Sequence, residues 1–141
     1  MALTSEATTL WFGSLLEGNG TTSLDSSDAA EFPVTWQARS EGVSGQTNPE
    51  ELLGAAHSAC YSMAFSNALS QAGHVPESLQ VTAAVTFQPG EGITGSHLLV
   101  SAKIPGIDEA EFQRLAEDAK ANCPVSKALA GIAITLEAGL A

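Results

Sequence analysis

The sequence predicts an α+β fold with the element order βββ-α-ββ-α-α-β. Three observations predict it. One long helical stretch, opening at Asn48-Pro49-Glu50 and stopping at Gly73, stands alone in the middle of the chain. Segments of strict apolar–polar alternation lie on both sides of it. A second helical region, opened by Asp108-x-x-Glu111, separates the last two alternating segments. At 141 residues, without a repeat or low-complexity tract, the chain is expected to form one domain over residues 1–141.

The first third reads as short strands. Thr9 to Leu15 is β-rich and aromatic, Gly18-Asn19-Gly20 is a turn signal, and Thr21 to Leu24 is expected to pair back as a hairpin. Asp25 to Glu31 is a polar loop. Val34 to Arg39 alternates, with Val34, Trp36 and Ala38 on one face and Thr35, Gln37 and Arg39 on the other.

The long helix follows. Asn48 is a capping residue, Pro49 suits the first helical position, and Glu50 and Glu51 meet the positive helix end. It is expected to run to about Ala72, with Gly73 at its C-terminal cap and Pro76 beyond. Leu52, Ala56, Ala59, Cys60 and Met63 share one face, and Phe65, Leu69 and Ala72 widen the apolar surface. No charge follows Glu51 before Gly73, which predicts a central, buried helix. Val81, Ala83, Val85 and Phe87 form one strand of a hairpin, and Leu98, Val100, Ala102 and Ile104 the other. A helix to about Ala121 puts Phe112, Leu115 and Ala119 inward, Asn122-Cys123-Pro124 interrupts it, and a short helix runs to Ala130. Ile132, Ile134 and Leu136 make the last strand, and the long helix is expected to pack on an antiparallel sheet.

Sixteen acidic residues face five basic ones, for a net charge of −11. Arg39, Lys103, Arg114, Lys120 and Lys127 are scattered, so nucleic acid and an anionic membrane surface are not expected as partners. No apolar run approaches a membrane span and the first residues lack a positive n-region, so a cytoplasmic address is expected.

Two cysteines, Cys60 and Cys123, are too few for a four-cysteine zinc site, and their spacing to histidine matches no zinc pattern. No metal or other cofactor is expected. Cys60 lies mid-helix, where burial is ordinary and reactivity requires a nearby cation. Cys123 precedes Pro124 at a helix start, where free N–H groups favour a thiolate, so local chemistry makes Cys123 the more acidic thiol. His57, one turn before Cys60, is either a base to that thiol or a packed helix-shoulder histidine. Arg39 is either a solvated charge or a planar cation that stabilises a thiolate. Glu50 serves the helix dipole and is also a candidate to hold Arg39.

The stretch Thr47-Asn48-Pro49-Glu50-Glu51-Leu52-Leu53-Gly54-Ala55-Ala56-His57-Ser58-Ala59-Cys60 resembles the signature of the OsmC/Ohr family, the osmotically inducible and organic hydroperoxide resistance proteins. Ile104-Pro105-Gly106-Ile107-Asp108 resembles the family's entry to its second helix. Ala121-Asn122-Cys123-Pro124-Val125-Ser126-Lys127-Ala128-Leu129 resembles its second-cysteine motif. The resemblance spans nearly the whole chain. Arg39 after the third strand is similar to the OsmC branch, since residues 1 to 38 contain no arginine.

This resemblance implies a thiol-dependent peroxidase acting on organic hydroperoxides in oxidative and osmotic stress defence, as an intertwined homodimer with two sites at the interface. It makes Cys60 the peroxidatic cysteine and Cys123 the resolving one, which reverses the local ranking. Arg39 is then the activator of the thiolate and Glu50 the carboxylate that orients it. Leu53, Met63 and Phe65 are the candidate substrate neighbours. A dithiol or lipoyl-type reductant is implied. Two other readings remain: a dimeric, non-catalytic binding module for small apolar molecules, and a structural Cys60–Cys123 disulfide stabilising by roughly 4 kcal/mol.

Overall fold

The computed structural model describes all 141 residues, which divide into two compact units, 1–52 and 53–141. The first holds an antiparallel meander of β1 (Thr8–Phe12), β2 (Asn19–Ser23) and β3 (Glu31–Val34), then a short helix α1 (Trp36–Ser40). Gly18-Asn19-Gly20 is not the hairpin turn. Asn19 and Gly20 lie in β2 opposite Phe12 and Trp11, and the turn falls at residues 13–18, closed by Gly18 N–H donating to the Ser14 carbonyl at 2.8 Å. Gly20 is required in the strand, because a Cβ there would sit 2.9 Å from the Trp11 ring and from the Leu10 carbonyl oxygen.

The alternating strand expected over residues 34–39 ends at Val34. Thr35 is extended and its hydroxyl accepts from the Ala38 N–H at 3.0 Å, which caps a helix instead. A single five-residue turn buries Ala38 and puts Arg39 in the last turn. This helix is the element absent from the expected order.

The long helix α2 (Pro49–Gln71) matches its expected limits. Asn48 accepts from the Glu51 N–H at 2.8 Å, and beyond the far end the His74 N–H donates to Leu69 and the Gly73 N–H to Ser70.

In the second unit β4 (Ser78–Gln88) and β5 (Gly92–Lys103) form the predicted hairpin. The sheet is mixed rather than antiparallel, because β6 (Ala133–Leu140) pairs parallel to β5, Leu98 opposite Leu136. A parallel neighbour requires a crossover, supplied by α3 (Glu109–Asn122) and α4 (Pro124–Ala128). The core joins Leu98, Val100 and Ala102 of β5 to Phe112, Leu115, Ala116 and Ala119 of α3, with Tyr61, Phe65 and Leu69 of α2 between them. Tyr61–Phe65 and Phe65–Phe112 pack as tilted ring pairs 5.6 and 5.8 Å apart.

The face of α2 that one chain buries is not the expected one. Gly54, His57, Tyr61, Phe65 and Leu69 point inward, whereas Ala56 and Ala59 are exposed and Met63 is 73% exposed. Gly54 lets the helix approach β4 closely, since a Cβ there would stand 2.8 Å from the Ala83 carbonyl oxygen.

Candidate active site

Cys60 and Cys123 are far apart in sequence and adjacent in space. Cys60 is a half-buried residue of α2. Cys123 is fully buried and links two helices: its N–H closes α3 on the Ala119 carbonyl at 2.9 Å, and its carbonyl accepts from Lys127 in α4 at 3.0 Å. Pro124 enforces the break, because it cannot continue α3. Both thiols are free, and each acts on the acidity of the other.

Their acidities diverge. Burial, and then the Cys123 sulfur, push the Cys60 thiol up, against the opposing pull of the Val125 N–H. Burial also acts to raise Cys123, but the Ser126 N–H, the Cys60 thiol, the Ser126 hydroxyl and the Val125 N–H outweigh it and bring Cys123 down. Within one chain the order therefore follows the local reading, with Cys123 the more acidic thiol.

His57 is not a base to Cys60. It is fully buried, with Nδ1 2.7 Å from the Ser96 hydroxyl and Nε2 2.8 Å from the Ser126 hydroxyl. Burial lowers its pKa and favours the neutral ring. Ser96 and Ser126 are the buried polar residues that the sequence analysis missed. The available signal was Ser126, three residues after Cys123 in the first turn of α4. Beside them, Tyr61 donates to the Ala116 carbonyl at 2.9 Å, and its own pKa is raised by burial, Glu117 and Cys123.

Arg39 and Glu50 meet in the first unit. Arg39 Nη2 donates to Glu50 Oε1 at 2.8 Å and Nε donates to the same oxygen at 3.0 Å. Glu50 is 6% exposed, so its charge is held away from water by a planar, two-donor partner. Asn48 donates to the Ala38 carbonyl at 3.3 Å and joins α1 to the start of α2. A cleft of about 220 Å³ in the same unit is lined by Trp11, Leu15, Val34, Trp36, Arg39 and Pro49.

The three expected substrate neighbours fall in different settings. Leu53 is half-buried and Met63 is exposed on α2. Phe65 is wholly buried between Tyr61 and Phe112 in the core, so its surface is already used in packing and it lines no open site.

Residues 42–137 match the family model described as OsmC-like protein. The chain belongs to this family. It is 43% identical over 122 residues to peroxiredoxin OsmC of Escherichia coli, covering 84% of this chain and 85% of that protein. It is 32% identical over 102 residues to the organic hydroperoxide resistance protein OhrA of Bacillus subtilis, covering 70% of this chain and 72% of that one. The crystal structure of OhrB of Bacillus subtilis superposes with a TM-score of 0.72 at 25% identity, covering 97% of this chain and 98% of that chain. The α+β fold expected for an OsmC-like chain is thereby borne out. No helix is long and apolar enough to cross a membrane.

Proposed function

We propose that this chain is a thiol-dependent peroxidase that reduces organic hydroperoxides to alcohols through a two-cysteine cycle, in defence against oxidative and osmotic stress. The observation that carries this reading is the juxtaposition of two free thiols brought together from α2 and from the α3–α4 break. The names borne by its OsmC and Ohr relatives support the same reaction class.

Cys60 is the peroxidatic residue. Its thiolate attacks the terminal peroxide oxygen, the O–O bond breaks, and the departing alkoxide takes up a proton to leave an alcohol and a Cys60 sulfenic acid. Cys123 is the resolving residue: its sulfur displaces hydroxide from the sulfenic acid, giving the Cys60–Cys123 disulfide and water. An external dithiol, a lipoyl-type group among them, returns both to thiols. Its lowered pKa suits Cys123 to this second attack. Cys60, raised in one chain, requires a cation, and Arg39 is assigned that role with Glu50 holding its guanidinium.

The acting species is an intertwined homodimer in which residues 1–141 of each chain work as one cytoplasmic domain. The uncovered Ala56, Ala59 and Met63 face of α2 supports a partner chain there. The apolar walls of the cleft beside Arg39 are assigned to the alkyl part of the peroxide.

The test is peroxide consumption driven by a dithiol, with cumene, fatty-acid and hydrogen peroxides compared. Organic peroxides are expected to react about tenfold faster or more. No consumption of any of the three, with both thiols left free, would contradict the reading and favour a binding module.

A further inference from the structure

We propose that His57 and Ser126 are a positioning pair for the resolving cysteine and set the rate at which Cys123 closes the disulfide. The inference rests on the two-cysteine reading above. Its basis is a buried chain of polar groups, Ser96–His57–Ser126, whose last member lies three residues after Cys123 in the first turn of α4. Ser96 of β5 is 1% exposed, His57 of α2 0%, Ser126 of α4 5% and Cys123 0%. The two histidine contacts are 2.7 and 2.8 Å, and the Ser126 hydroxyl acts in turn on the Cys123 sulfur. Packing alone does not call for such a chain, because an apolar side chain in place of His57 would need neither serine.

The chain has two internally consistent directions. A neutral imidazole has one donor nitrogen and one acceptor nitrogen, and each hydroxyl has one proton to donate. In one direction Ser96 donates to Nδ1, Nε2–H donates to Ser126, and Ser126 spends its proton on the Cys123 sulfur. That direction fits a thiolate. In the other, Cys123 S–H donates to Ser126, Ser126 donates to Nε2, and Nδ1–H donates to Ser96. That direction fits a thiol. Ionisation of Cys123 is thus coupled to the tautomer of His57 through one hydroxyl.

The step it serves balances as follows. Cys123 enters as thiolate, the S–S bond to Cys60 forms, and the S–O bond of the sulfenic acid breaks. The hydroxide that leaves is protonated to water by the proton Cys123 gave up. Sulfur of Cys123 is oxidised and the sulfenic sulfur of Cys60 is reduced. The titratable groups acting on or beside Cys123 are Cys60 and Tyr61 of α2, with Glu117 of α3 acting on Tyr61, and His57 of α2 bonded to Ser126. The pH profile of resolution therefore reports Cys123 against that background.

The experiment gives the protein one equivalent of cumene hydroperoxide and follows two quantities in the same sample. Sulfenic acid is trapped with dimedone, and disulfide is read by mass spectrometry without reductant. In Ser126→Ala, sulfenic acid is expected to form as in the unmutated protein. Disulfide formation is expected to slow about tenfold, the loss that accompanies one hydrogen bond to a charged group, and its pH profile to move to higher pH. Ser126→Thr, which keeps the hydroxyl, is expected to restore both. Unchanged resolution in Ser126→Ala, an equal loss in both steps, or failure of Ser126→Thr to restore would each overturn the inference. Should Ser126→Ala fail to fold, His57→Gln is measured; its amide bonds both serines without a tautomer to exchange, and an unmoved pH profile there overturns the inference. If the unmutated protein forms no sulfenic acid, it is the two-cysteine reading that fails, and the two failures are told apart.

Discussion

Residues 53–141 close a core of their own, and residues 1–52 do not. From Tyr61 to Cys123 the second unit buries a continuous apolar cluster and pairs its buried histidine at both nitrogens. In the first unit Ala38 is the buried apolar residue, while Leu10, Phe12, Leu15 and Leu16 are 57 to 76% exposed. The two units also hold different halves of the proposed machinery. The thiols sit in the closed core, where burial and backbone N–H groups set their acidity. The Arg39–Glu50 pair sits in the open unit, whose apolar surface still lacks cover. The contrast teaches that sulfur placement is complete within one chain, whereas the cation proposed to activate Cys60 sits in the unit with apolar surface left open, where a partner chain is proposed.

The largest effect separates the two thiols. Cys60→Ser is expected to reduce dithiol-driven consumption of cumene hydroperoxide to background. Cys123→Ser is expected to permit one oxidation of Cys60 and then stall or over-oxidise. Full turnover in Cys60→Ser would break the assignment of chemistry to the closed unit.

Next is the cation of the open unit. Arg39→Ala is expected to raise the Cys60 pKa and slow peroxide reduction about tenfold or more, by loss of a charge-assisted contact. Arg39→Lys is expected to recover little, because an ammonium cannot repeat the two-nitrogen grip on Glu50. Thiol titration by ultraviolet absorbance checks this, and an unchanged Cys60 pKa would refute it.

The uncovered face comes third. Met63→Asp puts a charge where a partner chain is expected and should weaken the dimer about 100-fold, or ~3 kcal/mol. Sedimentation measured over a concentration series reads the shift. Equal association of the variant and the unmutated protein would show that this face is open by nature.

The smallest effect belongs to the closed unit. His57 has its pKa lowered from 6.5 in the fold, so the unfolded chain binds the proton more readily. The stability this gives is full above pH 6.5 and declines as the pH falls toward the folded value. Melting temperature is expected to fall over that range, and His57→Gln should flatten this component. An identical slope in both proteins would remove His57 as its source.

Much of this was legible along the chain. Asn48-Pro49-Glu50 and Gly73 delimit α2 because capping is local chemistry, and the alternation of Leu98, Val100 and Ala102 already marks the inward face of β5. The failures share a cause. Six alternating residues from Val34 to Arg39 satisfy a strand pattern, yet a single hydroxyl, that of Thr35, turns them into a helix. The buried face of α2 is obscured because Ala, Ser and Gly occupy every side of it, so Tyr61 and His57 decide it only once β5 and α3 are in place. The parallel pairing of β6 depends on where α3 and α4 lead the chain. In the site, the meeting of Cys60 with Cys123 and of Arg39 with Glu50 was implied by family resemblance rather than by spacing. The bonds of His57 to Ser96 and Ser126 are non-local, and no motif announced them.

One measurement bears most directly on the division of labour between the thiols. The reduced protein is treated with one equivalent of cumene hydroperoxide, digested without reductant, and its cysteine peptides are weighed. The account predicts a cross-linked pair joining the Cys60 and Cys123 peptides, lighter by two hydrogens than the sum of the two thiol peptides, with cumyl alcohol formed in equal amount. Recovery of both peptides as free thiols, with the peroxide intact, would contradict it.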